Sequence, residues 1–249
     1  MGTSQSSPGP GGNSPLVPPW ADDSPDQILP EPSDRRYVGY RQALGRAVSN
    51  GSRSDLRVAI GHYARKSNGR NETAVRRMGS ATQAGTQLFG LLIGGGETTD
   101  SIVDLNSLTG LPCDTAISII TQALLTDDGD SEKIRSAMNQ ALAEALEGIE
   151  TFDPLSITDD VIIHTMINYL SEIIFLQMMM DSNKAFDKAE TPTQAINMEN
   201  MLNDLVCVTV DLHMANKFPS NIQSISQAQI KDIQRQTIKD VWTEWENYI

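Results

Sequence analysis

Proline is concentrated at one end of this chain: eight of the 12 prolines precede residue 35. Proline has no amide donor and interrupts helices, so long helices are excluded from this segment and allowed after it. The first 34 residues are also rich in Gly and Ser, and such a composition cannot bury enough apolar area to offset the entropy of ordering. We therefore predict a disordered tail over residues 1–34.

Beyond residue 34, apolar residues recur with helical spacing, and no run shows the period of two that is typical of strands. Aromatic residues are scarce at 5%, and Met is frequent. A core of Leu, Ile, Ala and Met is typical of a helical bundle. The predicted fold class is thus all-α, a helical bundle that follows the tail.

Turn and cap residues divide the helical part. Thr158 is predicted to cap a helix that is apolar around most of its circumference, as in a central buried helix. Asn71 and Ser131 are predicted to cap two others, and Gly79 or Gly85 is predicted to break the helix that follows Asn71. The prediction places a hinge at Gly94-Gly95-Gly96, which either separates two subdomains or marks a turn within a single fold.

Charge is distributed unevenly between the two sides of this hinge. Residues 35–95 carry a balance of +9, residues 96–249 a balance of −17, and the whole chain −13. We therefore predict a basic helical subdomain over 35–95 and an acidic one over 96–249. Two faces that attract each other, or a basic subdomain that meets an acidic or nucleotide partner, would both explain the division. The net negative charge argues against nucleic-acid binding.

The two cysteines, Cys113 and Cys207, lie far apart and outside any CxxC motif. Both occur in apolar helical contexts, which favours free thiols in a reducing compartment. No run of 18 uninterrupted apolar residues and no N-terminal signal region is present, so we expect a cytoplasmic protein with no membrane span.

Motifs for catalysis are weak. Gly94 to Thr99 superficially resembles a phosphate-binding loop, but it lacks the lysine of that motif and follows a helix. The histidines, His62, His164 and His213, show no metal-ligand spacing. We expect no enzyme activity, no metal and no cofactor. A helical hydrolase or nuclease with an unrecognised active site is the alternative.

One compact apolar island interrupts the tail: Pro15, Leu16, Val17, Pro18, Pro19 and Trp20. Prolines pre-order the backbone as polyproline II, so the island can enter a groove at small entropic cost. It is predicted either to bind another protein or to pack on its own helical domain.

Glycines in the tail are candidates for processing or modification. Removal of Met1 would expose the amine of Gly2, whose pKa of about 8 leaves a minority neutral and nucleophilic at physiological pH. Gly2 to Ser6 also matches the myristoylation pattern, which makes a membrane-attached module a further alternative. Gly11 and Gly12 form a second flexible position.

The tail opening MGTSQSSPGPGG, the island and the basic stretch 35–79 together resemble the B component of the bacterial Qat anti-phage system. The segments Leu-Gly-Arg, Gly-His-Tyr and Ala-Val-Arg-Arg-Met-Gly carry this resemblance within residues 35–79. The acidic remainder resembles the family only in its helical character.

The resemblance implies partners: an ATPase, a TatD-like nuclease and a queuosine-synthase-like protein that activates a carboxylate with ATP. It further implies that the tail is processed or conjugated to a deazaguanine, with Gly2, Gly11 or Gly12 as acceptor and the island as docking motif. The expected function is therefore that of a non-enzymatic defence component.

Overall fold

The computed structural model describes residues 14–22, 28–29, 31–67, 69–94, 103–125 and 127–249. Within these ranges the regular structure is helical, and one isolated β-bridge joins Pro112 and Thr151. The described parts of residues 14–34 contain no helix. The all-α prediction is confirmed.

Nine α-helices follow one another in the described chain. They are α1 (Val38–Asn50), α2 (Arg53–His62), α3 (Arg70–Arg77), α4 (Gly79–Leu92), α5 (Cys113–Ala123), α6 (Ser131–Ala145), α7 (Asp159–Ser182), α8 (Pro192–Met214) and α9 (Gln227–Glu246). A π-helical turn, Tyr63–Ser67, extends α2, and a 3-10 segment, Asn183–Lys188, follows α7.

Side-chain caps account for several helix starts. The hydroxyl of Thr158 accepts a hydrogen bond from the amide of Val161 at the start of α7, as predicted. Ser226 and Gln229 form a reciprocal capping box at the start of α9. These contacts satisfy amides that the first helical turn leaves without partners.

Two predicted caps are wrong. Asn71 lies inside α3, because Gly69 adopts a left-handed conformation (φ 69°) and occupies the N-cap. Ser131 is the first residue of α6, and Asp130 occupies its N-cap. The predicted break after Asn71 occurs at Met78 and Gly79.

Gly85 continues α4, since it permits close packing instead of ending the helix. A Cβ at this position would lie 2.7 Å from Cε1 of Tyr169 on α7. The Tyr169 hydroxyl donates to the carbonyl of Ala81, also on α4, over 2.7 Å.

The core is continuous across the predicted hinge. Helix α7 packs against α1, α4, α6 and α8, while α9 packs against α3, α4 and α8. Trp242 and Trp245 of α9 are fully buried in this core. Helices before and after Gly94 therefore share one apolar interior, and residues 95–102, which contain the rest of the hinge, lie outside the described ranges.

The stretch Asp159–Lys188 is long and apolar enough to cross a membrane, with a mean hydropathy of 1.4 in its best window. Inside the fold, 67% of that window is buried. Helix α7 thus has the burial of a core helix, in agreement with the central position predicted for it.

Candidate functional site

The tail island lies within residues 14–22, which we call the strap. The strap runs over the helical body as irregular backbone, with one turn in which the Ala21 amide donates to the Pro18 carbonyl over 3.0 Å. The proposed acceptors Gly2, Gly11 and Gly12 lie outside the described residues. Of the candidate site residues, the structure thus places Pro15, Leu16, Val17, Pro18, Pro19 and Trp20.

Apolar side chains hold the strap on the body. Leu16 and Val17 are each 5% exposed, and Ala21 is 2% exposed. Trp20 keeps 51% of its surface accessible, although one side of its indole lies against Gly129. A Cβ at Gly129 would approach Trp20 to 2.6 Å, so only glycine fits beneath the ring.

The body donates the hydrogen bonds that fix the strap backbone. Arg36 donates to the Pro15 carbonyl (3.4 Å), Arg77 to the Leu16 carbonyl (3.3 Å), and Ser80 to the Trp20 carbonyl (2.8 Å). At the end of the strap, Asp22 accepts two hydrogen bonds from Arg76, at 2.9 and 2.7 Å. This bidentate ion pair is largely buried, a geometry that combines charge with orientation.

A buried ion network lies beneath the strap and is centred on Asp181, near the end of α7. Its carboxylate accepts hydrogen bonds from Arg77 (3.2 Å), the hydroxyl of Tyr63 (2.8 Å) and Gln177 (3.3 Å). Lys133 of α6 donates to Gln177 and to Asp130, each over 2.9 Å. Three side chains therefore contact the buried carboxylate directly, and Lys133 and Asp130 are linked to it through Gln177.

The network is electrostatically matched. Burial by itself lowers the pKa of Arg77, but Asp181, Tyr37 and Tyr63 together outweigh burial and hold the pKa above its usual value. Burial, followed by the charge of Asp181, raises the pKa of Tyr63. The arginine therefore stays charged and the phenol stays protonated, which keeps both as donors to Asp181.

Arg36 differs from the other strap contacts. It is 2% exposed, and its Nε and Nη1 atoms have no hydrogen-bond partner among the residues that the structure describes. Its guanidinium lies 4.8 Å from the ring centroid of Tyr37, whose ring Arg41 also contacts at 4.7 Å. Cation–π contact is thus a main interaction of the Arg36 charge beneath the strap.

The structure does not bring the three histidines together. His62 lies on α2 next to α1, and burial, then Lys66, lowers its pKa. His164 is exposed on α7 although that helix is central. His213 on α8 contacts Glu244 over 2.7 Å. In the described part of the chain, no three His, Cys, Asp or Glu residues form a metal-binding group.

Neither cysteine is a reactive thiolate. Burial, with Asp114 as a second cause, raises the pKa of Cys113, and burial raises that of Cys207 to about 11. Both side chains remain protonated thiols at neutral pH, and both are free.

Sequence reasoning identified the island but missed Asp181 and its partners. One signal was available: Asp181 directly follows Met178–Met180 at the end of the most apolar helix, so its carboxylate needs a cation inside the core. The sequence does not say which of the many cations in residues 35–95 supplies it.

Comparison with known families gives the class. The chain matches a family of proteins associated with an anti-phage system. A family model described as "Qat anti-phage system associated protein QatB" matches residues 69–245, more than half of the chain, and the chain therefore belongs to this family. No curated protein and no solved structure matches it significantly.

The family match falls mainly outside the stretch that first suggested it. The tail and residues 35–79 carry the resemblance seen in the sequence, whereas the matched region is 69–245. Two different parts of the chain thus indicate the same family, and membership in the Qat system implies other components of that system as partners.

Proposed function

We propose that this chain is a non-catalytic component of the Qat system whose N-terminal tail is bound, and then processed or modified, by a queuosine-synthase-like partner. The observation that carries the proposal is the strap. Buried Leu16 and Val17, and the ion pair of Asp22 with Arg76, fix the tail to the body immediately after residues 1–13. The body thereby offers the N-terminus from a defined point.

The exposed side of the strap supplies a docking surface for such a partner. Pro15, Pro19 and Trp20 are exposed, whereas Leu16 and Val17 face the body. A half-exposed Trp on a proline-rich backbone is a strong anchor, since it adds apolar area with little loss of conformational entropy. The partner would bind the strap and the helices beneath it together.

Chain length favours Gly2 over the other acceptors while the strap is docked. Ser14 is twelve positions after Gly2, so Gly2 can reach at most about 40 Å from the strap, and Gly11 only about 10 Å. A partner's active site must surround the amine that attacks the activated carboxylate. Gly2 can enter a deep site without disturbing the strap, whereas Gly11 and Gly12 would require the strap to detach.

The remaining assignments follow the resemblance. We propose that the system's ATPase and TatD-like nuclease are further partners, that nucleic acid is not, and that the protein acts in the cytoplasm. The net charge of −13 and the two free thiols support these assignments.

Intact-mass measurement tests the proposal. The full chain is purified alone and after co-expression with the queuosine-synthase-like component, and any mass change is mapped by peptide analysis. We expect a changed mass within residues 1–13, which a tag that blocks the N-terminus abolishes and a C-terminal tag preserves. An unchanged mass would contradict the modification.

A matched pair of variants tests the docking surface. Trp20→Ala should lower the modified fraction, because it removes the exposed anchor. Ile28→Ala changes an apolar residue that is 99% exposed in the same tail but outside the strap, and it should have no effect. Equal modification of both variants would exclude Trp20 as the anchor.

A further inference from the structure

Helix α8 carries an apolar stripe that the fold leaves open to solvent. Met201, Leu205, Val208 and Leu212 follow the 4-3-4 spacing of a coiled-coil seam. Val208 is 69% exposed and Leu212 59% exposed, and the other two are half-buried. We call these four residues the α8 seam. It borders a groove of about 540 Å³ between α2, α8 and the end of α9.

Charges of opposite sign lie on the two sides of the α8 seam, which we call its walls. Arg53 and Arg57 lie on α2, on one side of the seam. Asp204 and Asp211 directly precede Leu205 and Leu212, so they lie about 100° around α8, on the side away from the buried Thr209. All four side chains are exposed, and none has an ion pair within the described ranges.

Two charged side chains at the groove also have contacts within the chain. Glu244, which also lines it, accepts a hydrogen bond from the Tyr248 hydroxyl over 2.8 Å and contacts His213 over 2.7 Å. Arg57 packs over the Tyr248 ring at 5.0 Å, which holds its side chain at the groove but leaves its charge without a carboxylate.

We propose that the α8 seam binds a second copy of this chain about a two-fold axis that runs along the groove. Such an axis maps each wall onto the opposite wall of the other copy, so that Arg53 and Arg57 of one copy face Asp204 and Asp211 of its partner. The two seams then cover each other. Isologous interfaces require this kind of self-complementarity.

Charge distinguishes a second copy from a partner of another kind. An acidic partner would place its charge against Asp204 and Asp211, and a basic partner would place its charge against Arg53 and Arg57. Like charges in contact across an interface are unfavourable, so a partner of one sign fits only one wall, whereas a second copy fits both walls.

Light scattering coupled to size-exclusion chromatography tests the proposal on the full chain over a range of concentrations. We expect a mass of twice 27.2 kDa for the unmodified sequence. Val208→Glu combined with Leu212→Glu should give a folded monomer, because the changes place charge in the interface on residues that are exposed in a single copy. Ile196→Glu, at a 55% exposed position on the same helix outside the seam, should remain dimeric.

Charge reversal tests the axis itself. Arg53→Glu with Arg57→Glu should raise the dissociation constant of the dimer by at least about tenfold, since both walls are then acidic. Adding Asp204→Lys and Asp211→Lys should return the dissociation constant to that of the unmodified sequence, because the two walls again carry opposite charges. Circular dichroism of each variant confirms that it is folded.

Three results would overturn the inference. The first is a monomer at every concentration. The second is a dimer that survives Val208→Glu with Leu212→Glu. The third is a variant with all four charges reversed that does not regain the dimer, which would exclude the proposed two-fold arrangement.

Discussion

The face beneath the strap and the face of the α8 seam differ in whether their charges are paired and their apolar side chains buried. Beneath the strap, Asp181 is fully buried, and Arg77, Tyr63 and Gln177 surround its carboxylate. On the α8 face, Val208 and Leu212 stay in solvent beside charges that have no ion pair in the described chain.

The difference teaches how to recognise an occupied surface. A buried charge is tolerated only with partners, so an ion network of this kind indicates that the segment covering it belongs there. Exposed apolar residues beside unpaired charges indicate a surface whose complement comes from elsewhere. In this molecule, the strap covers one face, and the proposed second copy covers the other.

Glu172, another carboxylate of α7, contrasts with Asp181. Glu172 of α7 is half-buried, and the nearest charges that act on it are Glu144 and Glu199, both negative. Burial first, and these like charges second, raise its pKa to about 7. Within the described chain, no cation thus acts on Glu172 as Arg77 acts on Asp181.

The largest effect should come from Asp181→Ala. Removal of this carboxylate leaves Arg77 buried without its counter-ion and Tyr63 without its acceptor. Breaking a buried ion pair in this way typically lowers the free energy of unfolding by about 3–5 kcal/mol. Urea denaturation measures it, with Asp187→Ala, an exposed acid in the following segment, as a control that should stay within about 0.5 kcal/mol. A loss under about 1 kcal/mol would break the contrast between the two faces.

A smaller, local effect is expected from Leu16→Ala in the strap. The truncation removes buried contacts worth about 2 kcal/mol or more, and the strap can detach without unfolding the body. Limited proteolysis should therefore show faster cleavage within residues 14–34, with a smaller change in the global unfolding midpoint. Pro19→Ala, at an exposed position of the same strap, should leave the cleavage rate unchanged. Equal cleavage of the two variants would show that burial of Leu16 does not hold the strap.

The smallest effect depends on pH. The folded protein raises the pKa of Glu172 from 4.5 to about 7, so folding favours the protonated form. The contribution of Glu172 to the free energy of unfolding is fully present below about pH 4.5 and is lost as the pH rises to about 7. Glu172→Gln removes the charge and should raise the melting temperature at pH 8 but not at pH 4.5.

Glu147→Gln supplies the control for this prediction, because Glu147 is an exposed acid just after α6. Its effect on the melting temperature should be small and equal at the two pH values. If Glu172→Gln behaved in the same way, the carboxylate of Glu172 would not carry the repulsion that distinguishes it from Asp181.

Much of the fold was predictable from local signals. Thr158 caps α7, Pro192 begins α8, and the chain after residue 34 is helical, because each of these depends on residues close in sequence. Local signals failed where backbone geometry overrode them, as at Gly69, whose left-handed conformation displaced the predicted cap at Asn71.

The site was only partly predictable. Composition marked Pro15 to Trp20 as unusual but left open whether the island packs on its own domain or on a partner. The structure shows that Leu16 and Val17 pack on the body while Trp20 stays half-exposed, so one side of the island is buried and the other is open to solvent. The ion network required contacts over long separations, such as the 104 residues between Arg77 and Asp181.

The sequence by itself determined the fold class, the position of the proline-rich tail and the residues that share each helical face, because composition and period are local properties. Only the tertiary structure decided what each face meets. On α8, Val206 is fully buried and Val208 is 69% exposed, although both are valines on one helix. The physical reason is that burial depends on the neighbouring helices, and the chain brings those neighbours together from positions that no local pattern specifies.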